Sequence, residues 1–215
     1  MILAIYCAGG LGREIIGLAR SINRWEAIFF VDDIVEQKEI AGANVLRFSE
    51  AERYKGNIEF VIANGEPKVR EMLYQKIKAA GYPMATLIGA GCYILPDTEI
   101  GEGCILYSGG ISTGVKIACN SLINANVIIG HDTVISEHCV VSANCFIGGF
   151  THIDKMVYVA PGALIKDRVH VASKAIISLG AVVLRNVRER AIMVGNPAKR
   201  IGYNTSGKVF NIFDD

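Results

Sequence analysis

The sequence predicts two units in series: a small α/β unit with a parallel sheet over residues 1–85, then a parallel β-helix over residues 86–215. Three observations predict it. Short apolar runs alternate with helical segments in the N-terminal third. A glycine-rich turn, "CAGGLGRE", joins the first run to the first helix. β-branched residues then recur at every sixth position through the C-terminal half.

Along the chain, "ILAIY" reads as a buried strand. No basic stretch precedes it, so it is not read as a signal peptide. Gly9, Gly10 and Gly12 follow, and their backbone N–H groups could approach a phosphate at the start of a helix, although the spacing is not GxGxxG. "AIFFVDD" reads as a second strand ending in Asp32 and Asp33, where an acid commonly meets the ribose or base of a nucleotide. The alternative is a glycine turn and solvated acids that serve only the fold. "IEFVIANG" is a third buried strand, and "PKVREMLYQKIKAAGY" is a helix with Pro67 at its start and Gly81 at its end.

From Ile105 to Val183, steps of six land on Ile or Val fourteen times in succession. The residue four after each is small or Val, from Gly109 to Val187. A shifted phase holds Ile88, Ile94 and Ile100, and a one-residue slip joins the two. Six residues carry an α-helix to its far face, and a plain strand alternates at two. Short strands meeting at tight corners explain both positions: the β-branched residue fills the axis and the small one fits the corner.

Composition excludes several classes. With 22 basic and 21 acidic residues the net charge is +1, which gives no nucleic-acid or anionic-membrane footprint. No apolar run approaches the roughly 18 residues that span a bilayer. The six cysteines show no CxxC spacing, and Cys92, Cys104, Cys139 and Cys145 occupy the small-residue position. They read as reduced, buried thiols of a cytoplasmic protein.

The hexads over 88–188 resemble the hexapeptide repeat of left-handed β-helix acyltransferases. With the "AGGLGRE" turn, the "VDD" end of the second strand and "VGNPAKRI" near the C-terminus, nearly the whole chain resembles the sialic acid O-acetyltransferase family. That family includes bacterial nucleotide-amino-sugar N-acetyltransferases. The resemblance implies a Rossmann-like α/β N-terminal unit followed by a left-handed parallel β-helix with three hexads to the coil. It also implies a homotrimer, acetyl-CoA as co-substrate between neighbouring subunits, and no metal.

His131 and Asp132 interrupt the apolar pattern in "IIGHDTVI". Acetyl transfer from a thioester needs a base for the proton of the attacking amine or hydroxyl, and neutral imidazole suits this near pH 7. A neighbouring carboxylate can orient the ring. On residues alone, a turn His-Asp on a prism corner remains an equal reading. The resemblance makes His131 catalytic, with Asp132 as its partner. It places Asn124 near the substrate, Gly149 as a backbone oxyanion donor, and Ala160, Pro197 and Lys199 along the CoA channel. It gives Gly9, Gly10, Leu11, Gly12, Asp32, Asp33 and Gly65 to the nucleotide-sugar side. Some relatives carry His where this chain has Leu11 and Val140, and His138 lies two residues off the second position. His152 and His170, eighteen apart, are expected to stack on one wall as surface residues.

The expected function is transfer of acetyl from acetyl-CoA to the amino group of a nucleotide-linked sugar for bacterial surface glycan synthesis. Alternatives are O-acetylation of sialic acid or another glycan sugar, and a non-catalytic sugar-nucleotide-binding protein. A zinc carbonic anhydrase on the same fold would need three histidines around one metal, and the four histidines here have mixed hexad phases.

Overall fold

The computed structural model describes residues 1–210. The N-terminal sheet contains β1 (Ile2–Tyr6), β2 (Ala27–Val31), β3 (Glu39–Ile40), β4 (Ala43–Leu46) and β5 (Ile58–Ile62), in the order β3-β4-β2-β1-β5. β4, β2, β1 and β5 are parallel, and β3 is antiparallel to β4. Helices α1 (Gly10–Ile22) and α2 (Pro67–Ala79) cover opposite faces. Alternation along β1 divides its side chains between them: Leu3 and Ile5 pack with Ile15, Ile16 and Ala19, whereas Ile2, Ala4 and Tyr6 pack with Leu73 and Ile77. Both faces are covered, so β1 reads as a continuous apolar run.

The β-helix has three walls of short parallel strands, and through its regular coils a residue pairs with the one eighteen further on: Val140 with Tyr158, Phe146 with Leu164, His152 with His170. Ile117, Ile123, Ile129, Ile135, Val141 and Ile147 fill the axis and are buried. The corners demand left-handed backbone at every sixth residue, from Asn126, Asp132 and His138 to Lys174, with φ near +60° throughout. Asn and Asp adopt this readily, whereas His138, Phe150 and Met156 carry some steric cost there.

The hexad count is corrected at its first member. Ile105 pairs with Leu122, and Leu106 pairs with Ile123, so Leu106 is axial. The Ile88–Ile94–Ile100 phase therefore continues to Leu106, and the slip falls between Leu106 and Ile111. Ile105 points outward yet is fully buried, because the N-terminal unit covers this wall. A covered wall is apolar inside and out, and periodicity alone cannot distinguish its two faces.

That covered wall joins the units. Leu87, Ile105, Leu122, Val140, Tyr158 and Ile176 share one buried cluster with Leu3, Ile15 and Ile16. A polar seam lies beside it. Arg70 of α2 is completely buried without a carboxylate partner; it donates to the carbonyls of Asn120 (2.9 Å), Ile62 (2.7 Å) and Asn64 (3.0 Å) and to Asn120 Oδ1 (2.9 Å). Burial lowers its pKa to about 10. One and two turns on, Tyr74 and Lys78 bond Glu102.

After the last coil, Ala191–Val194 pairs antiparallel with Lys199–Tyr203 across a cis Asn196–Pro197 bond. The chain then returns to α2, where the N–H groups of Val209 and Phe210 donate to the Glu66 carboxylate. All six cysteines are unpaired. No described helix is long and apolar enough to cross a membrane.

Candidate active site

His131 and Asp132 stand on the corner that follows the strand Val127–Ile129. Asp132 takes the left-handed position (φ 56°), which turns the chain and leaves both side chains about half exposed. His131 Nδ1 lies 2.9 Å from Asp132 Oδ2. An ionised carboxylate only accepts, so Nδ1 carries the proton and Nε2 is left with a free lone pair. The Phe150 ring meets the imidazole edge-on, with centroids 4.9 Å apart.

Gly149, on the next coil, lies directly beneath the imidazole. A Cβ built there would be 3.0 Å from His131 Nε2 and 3.2 Å from Cδ2 and Cε1. The Gly149 N–H donates to no protein acceptor among the described residues, although its carbonyl accepts from Arg168. The missing Cβ thus makes room for the imidazole, and the Gly149 N–H on the same coil stays available as a donor. Gly149→Ala is expected to push the ring aside by a few tenths of an ångström and lower kcat about 10-fold, with the fold intact. Steady-state kinetics beside a thermal melt read this, and unchanged kcat would remove Gly149 from the site.

The other expected residues lie elsewhere in the chain. Asn124 is on the corner before the same wall, its Oδ1 accepting from the Ala125 N–H at 2.7 Å. Ala160 is on that corner two coils on, buried, with its carbonyl accepting from the Cys145 thiol. No hydrogen bond among the described residues ties either to His131. Pro197 and Lys199 line a cavity of about 420 Å³ at the end of the β-helix, together with Leu184, Arg185 and Asn186. Arg185 gives this cavity a second cation that the motif reading missed; "VVLRNV" reads only as one more hexad.

In the N-terminal unit, Gly9 and Gly10 line a cavity of about 470 Å³ with Ala8, Arg13, Val35, Gln37 and Glu39. Gly12 is structural: a Cβ there would stand 2.4 Å from the Cys7 carbonyl oxygen, so glycine permits the close strand–helix crossing. Leu11 packs against the buried cluster that joins the units. Gly65 lies against the Phe210 ring. Val140 is buried under the N-terminal unit. His138 is buried at the seam with Nδ1 2.9 Å from Asn120 Nδ2.

Every carboxylate oxygen of the paired acids already has a protein donor. Asp32 accepts from the N–H groups of Ala8, Ile34 and Val35, which fixes the glycine turn. Asp33 accepts from Tyr6 Oη (2.5 Å), Lys76 Nζ (2.7 Å) and the Phe48 N–H (2.9 Å). Partial burial pushes the Asp33 pKa up, but the Lys76, Tyr6 and Phe48 hydrogen bonds outweigh it and hold the group at about 2. The cavity's polar side chains without a protein partner among the described residues are Arg13, Gln37 and Glu39; they lie on α1, a connecting loop and the two-residue strand β3, where periodicity is silent. His152 and His170 stack as expected, each about 3 Å from one oxygen of Asp154.

The profile of the PglD N-terminal domain family matches residues 2–77. The GDP-perosamine N-acetyltransferase of Escherichia coli O157:H7 is 29% identical over 179 residues, which is 77% of this chain and 78% of that one. PerB from Caulobacter crescentus, solved with CoA and GDP-perosamine, superposes with a TM-score of 0.87 at 22% identity, covering 94% of this chain and 98% of that one. The acetyltransferase domain of PglB from Neisseria gonorrhoeae FA1090, solved with acetyl coenzyme A, gives a TM-score of 0.88 at 23% identity, covering 93% and 98%. At those identities the two structures establish the fold, a Rossmann-like domain followed by a parallel β-helix. Residues 2–77 thus match the PglD N-terminal domain, a hexad helix follows them, and over most of its length the chain is similar to a curated nucleotide-amino-sugar N-acetyltransferase.

Proposed function

We propose that the protein transfers the acetyl group of acetyl-CoA to the amino group of a nucleotide-linked amino sugar. The observation that carries this is the imidazole of His131, oriented by Asp132 at 2.9 Å and seated over Gly149. The relative from E. coli is named for acetylation of GDP-perosamine, and the Caulobacter and Neisseria structures hold CoA with GDP-perosamine and acetyl coenzyme A respectively.

In the proposed reaction the sugar amine attacks the thioester carbonyl carbon while Nε2 of His131 takes one of its protons. The tetrahedral oxyanion accepts from the Gly149 N–H, and Asp132 steadies the imidazolium. As the carbon–sulfur bond breaks, the imidazolium returns its proton to the CoA sulfur, giving the amide and free CoA. Pro197, Lys199 and Arg185 are assigned to the phosphate-bearing end of CoA, and the Gly9–Gly10 cavity to the nucleotide. No metal takes part in this route. With all six thiols free, we assign the protein to the cytoplasm.

We further assign a homotrimer, from the unequal walls of the prism. The N-terminal unit covers one wall, and a second bears Lys116, His152 and His170. The third presents Ile128, Phe146 and Leu164, stacked one above another and 45%, 46% and 42% exposed. Such an apolar patch marks an interface. His131 lies at its edge, so a second copy seated there would complete the site. Light scattering is expected to give a trimer, and Phe146→Arg to give monomers with little activity. A wild-type monomer with full activity would sink this assignment.

The function is tested by incubating acetyl-CoA with a panel of nucleotide-linked 4-amino sugars and free sialic acid, and reading thiol release. Release with an amino sugar supports the proposal. Release with sialic acid alone would replace it with the O-acetyltransferase reading.

A further inference from the structure

We propose that the N-terminal cavity selects guanine, and that Glu39, with Gln37, is the specificity-determining pair. This rests on the nucleotide-linked-sugar reading above and deepens it. The cavity has two chemically different ends. Gly9, Gly10 and the start of α1 present backbone N–H groups without helical partners, and Arg13 adds a cation whose side chain has no ion pair among the described residues. This end suits a diphosphate.

The other end is the segment between β2 and β4. Val35 and Ile40 give it apolar surface, and Gln37 and Glu39 are its polar side chains. Neither makes an intramolecular side-chain hydrogen bond or ion pair among the described residues. Asp32 and Asp33, by contrast, are occupied by six protein donors. The free carboxylate at the base end is therefore Glu39.

An ionised carboxylate is acceptor-only. Guanine alone among the common bases offers it two parallel donors, N1–H and the 2-amino group, in the geometry of a bidentate bond. Uracil offers one N–H between two carbonyl oxygens that the carboxylate repels. Adenine and cytosine present a ring-nitrogen acceptor beside their amine. The Gln37 amide can donate to guanine O6, the remaining polar atom of that edge. A site built around donors rejects ligands that lack them, because its own acceptor is then left unpaired.

The test is calorimetric titration of GDP, IDP, UDP and ADP into the wild-type protein and Glu39→Gln. IDP lacks only the 2-amino group. Wild type is expected to bind GDP about 10-fold or more tighter than IDP or UDP. Glu39→Gln is expected to weaken GDP about 10-fold or more and leave IDP and UDP within about 3-fold, removing the GDP–IDP difference. Glu39 is exposed and belongs to no buried cluster, so the variant is expected to fold normally. UDP binding as tightly as GDP, or a Glu39→Gln loss equal for all four, would overturn the proposal. Acetyl transfer to a UDP-amino sugar in preference to a GDP-amino sugar would do so while leaving the acetyltransferase reading intact. Failure of all four nucleotides to bind, with no thiol release, would overturn both.

Discussion

His131→Ala is expected to lower kcat by about 10² to 10⁴, the usual contribution of a positioned general base. The imidazole is about half exposed on a corner and touches mainly the Asp132 carboxylate, the Phe150 ring edge and the Gly149 backbone, so its removal opens no core cavity. The melting temperature is expected to stay within about 2 °C of wild type. The KM for acetyl-CoA is expected to change little, since the proton moves only in the transition state. Asp132→Asn keeps the turn, because Asn tolerates left-handed backbone, but removes the charge that fixes the tautomer. Its loss is therefore expected to be smaller and to lie in kcat. A folded His131→Ala protein with near-wild-type turnover would assign the base to another group.

The β-helix was legible because its physics is periodic. One axial residue per wall and one tight corner per hexad leave a repeat that needs no alignment, and the fold follows from it, whereas the catalytic reading of the His131 corner came from the family resemblance. The exception, Ile105 against Leu106, arises where a second layer covers the wall and makes both faces apolar. The left-handed corner residue was hidden because Asn, Asp, His, Phe, Met and Lys all occupy it. His131 stood out because an imidazole beside a carboxylate has no packing role in such a pattern.

The N-terminal site was less legible. The glycine turn and the paired acids were found, but sequence does not say which donors a carboxylate will meet. Three donors reach Asp32 and three reach Asp33, some from residues up to 43 positions away. The acids thus hold the turn and the sheet edge, and the residues we propose for ligand contact, Arg13, Gln37 and Glu39, look like ordinary surface residues in the sequence. Arg70 was invisible for a related reason: an arginine in an amphipathic helix reads as solvated, and only the folded chain places it under the β-helix.

Arg70→Ala is expected to be the most destabilising of these substitutions. It strips the donors from three carbonyls and from Asn120 Oδ1 in a site closed to water, and it leaves a cavity between the units. Relief from burying a cation offsets part of this, for a net loss of about 3 kcal/mol, or roughly 6–12 °C in melting temperature. The same seam gives the protein an acid sensitivity. Asn120 Oδ1 accepts from Arg70, so Asn120 Nδ2 donates to His138 Nδ1, which must be unprotonated. Burial first, and the Arg70 and Lys155 charges with it, hold the His138 pKa below its usual value, outweighing Glu71 and Glu137. The unfolded chain therefore takes up a proton near pH 6.5 while the folded one does not, so stability is full above that pH and declines as pH falls below it. Arg70→Ala removes one opposing charge, and its melting temperature is expected to fall less steeply than wild type between pH 6.5 and 5. Thermal melts of both proteins across that range measure the depth and the slope together. A variant within 2 °C of wild type at neutral pH, with the same acid slope, would mean that apolar packing alone holds the two units in register.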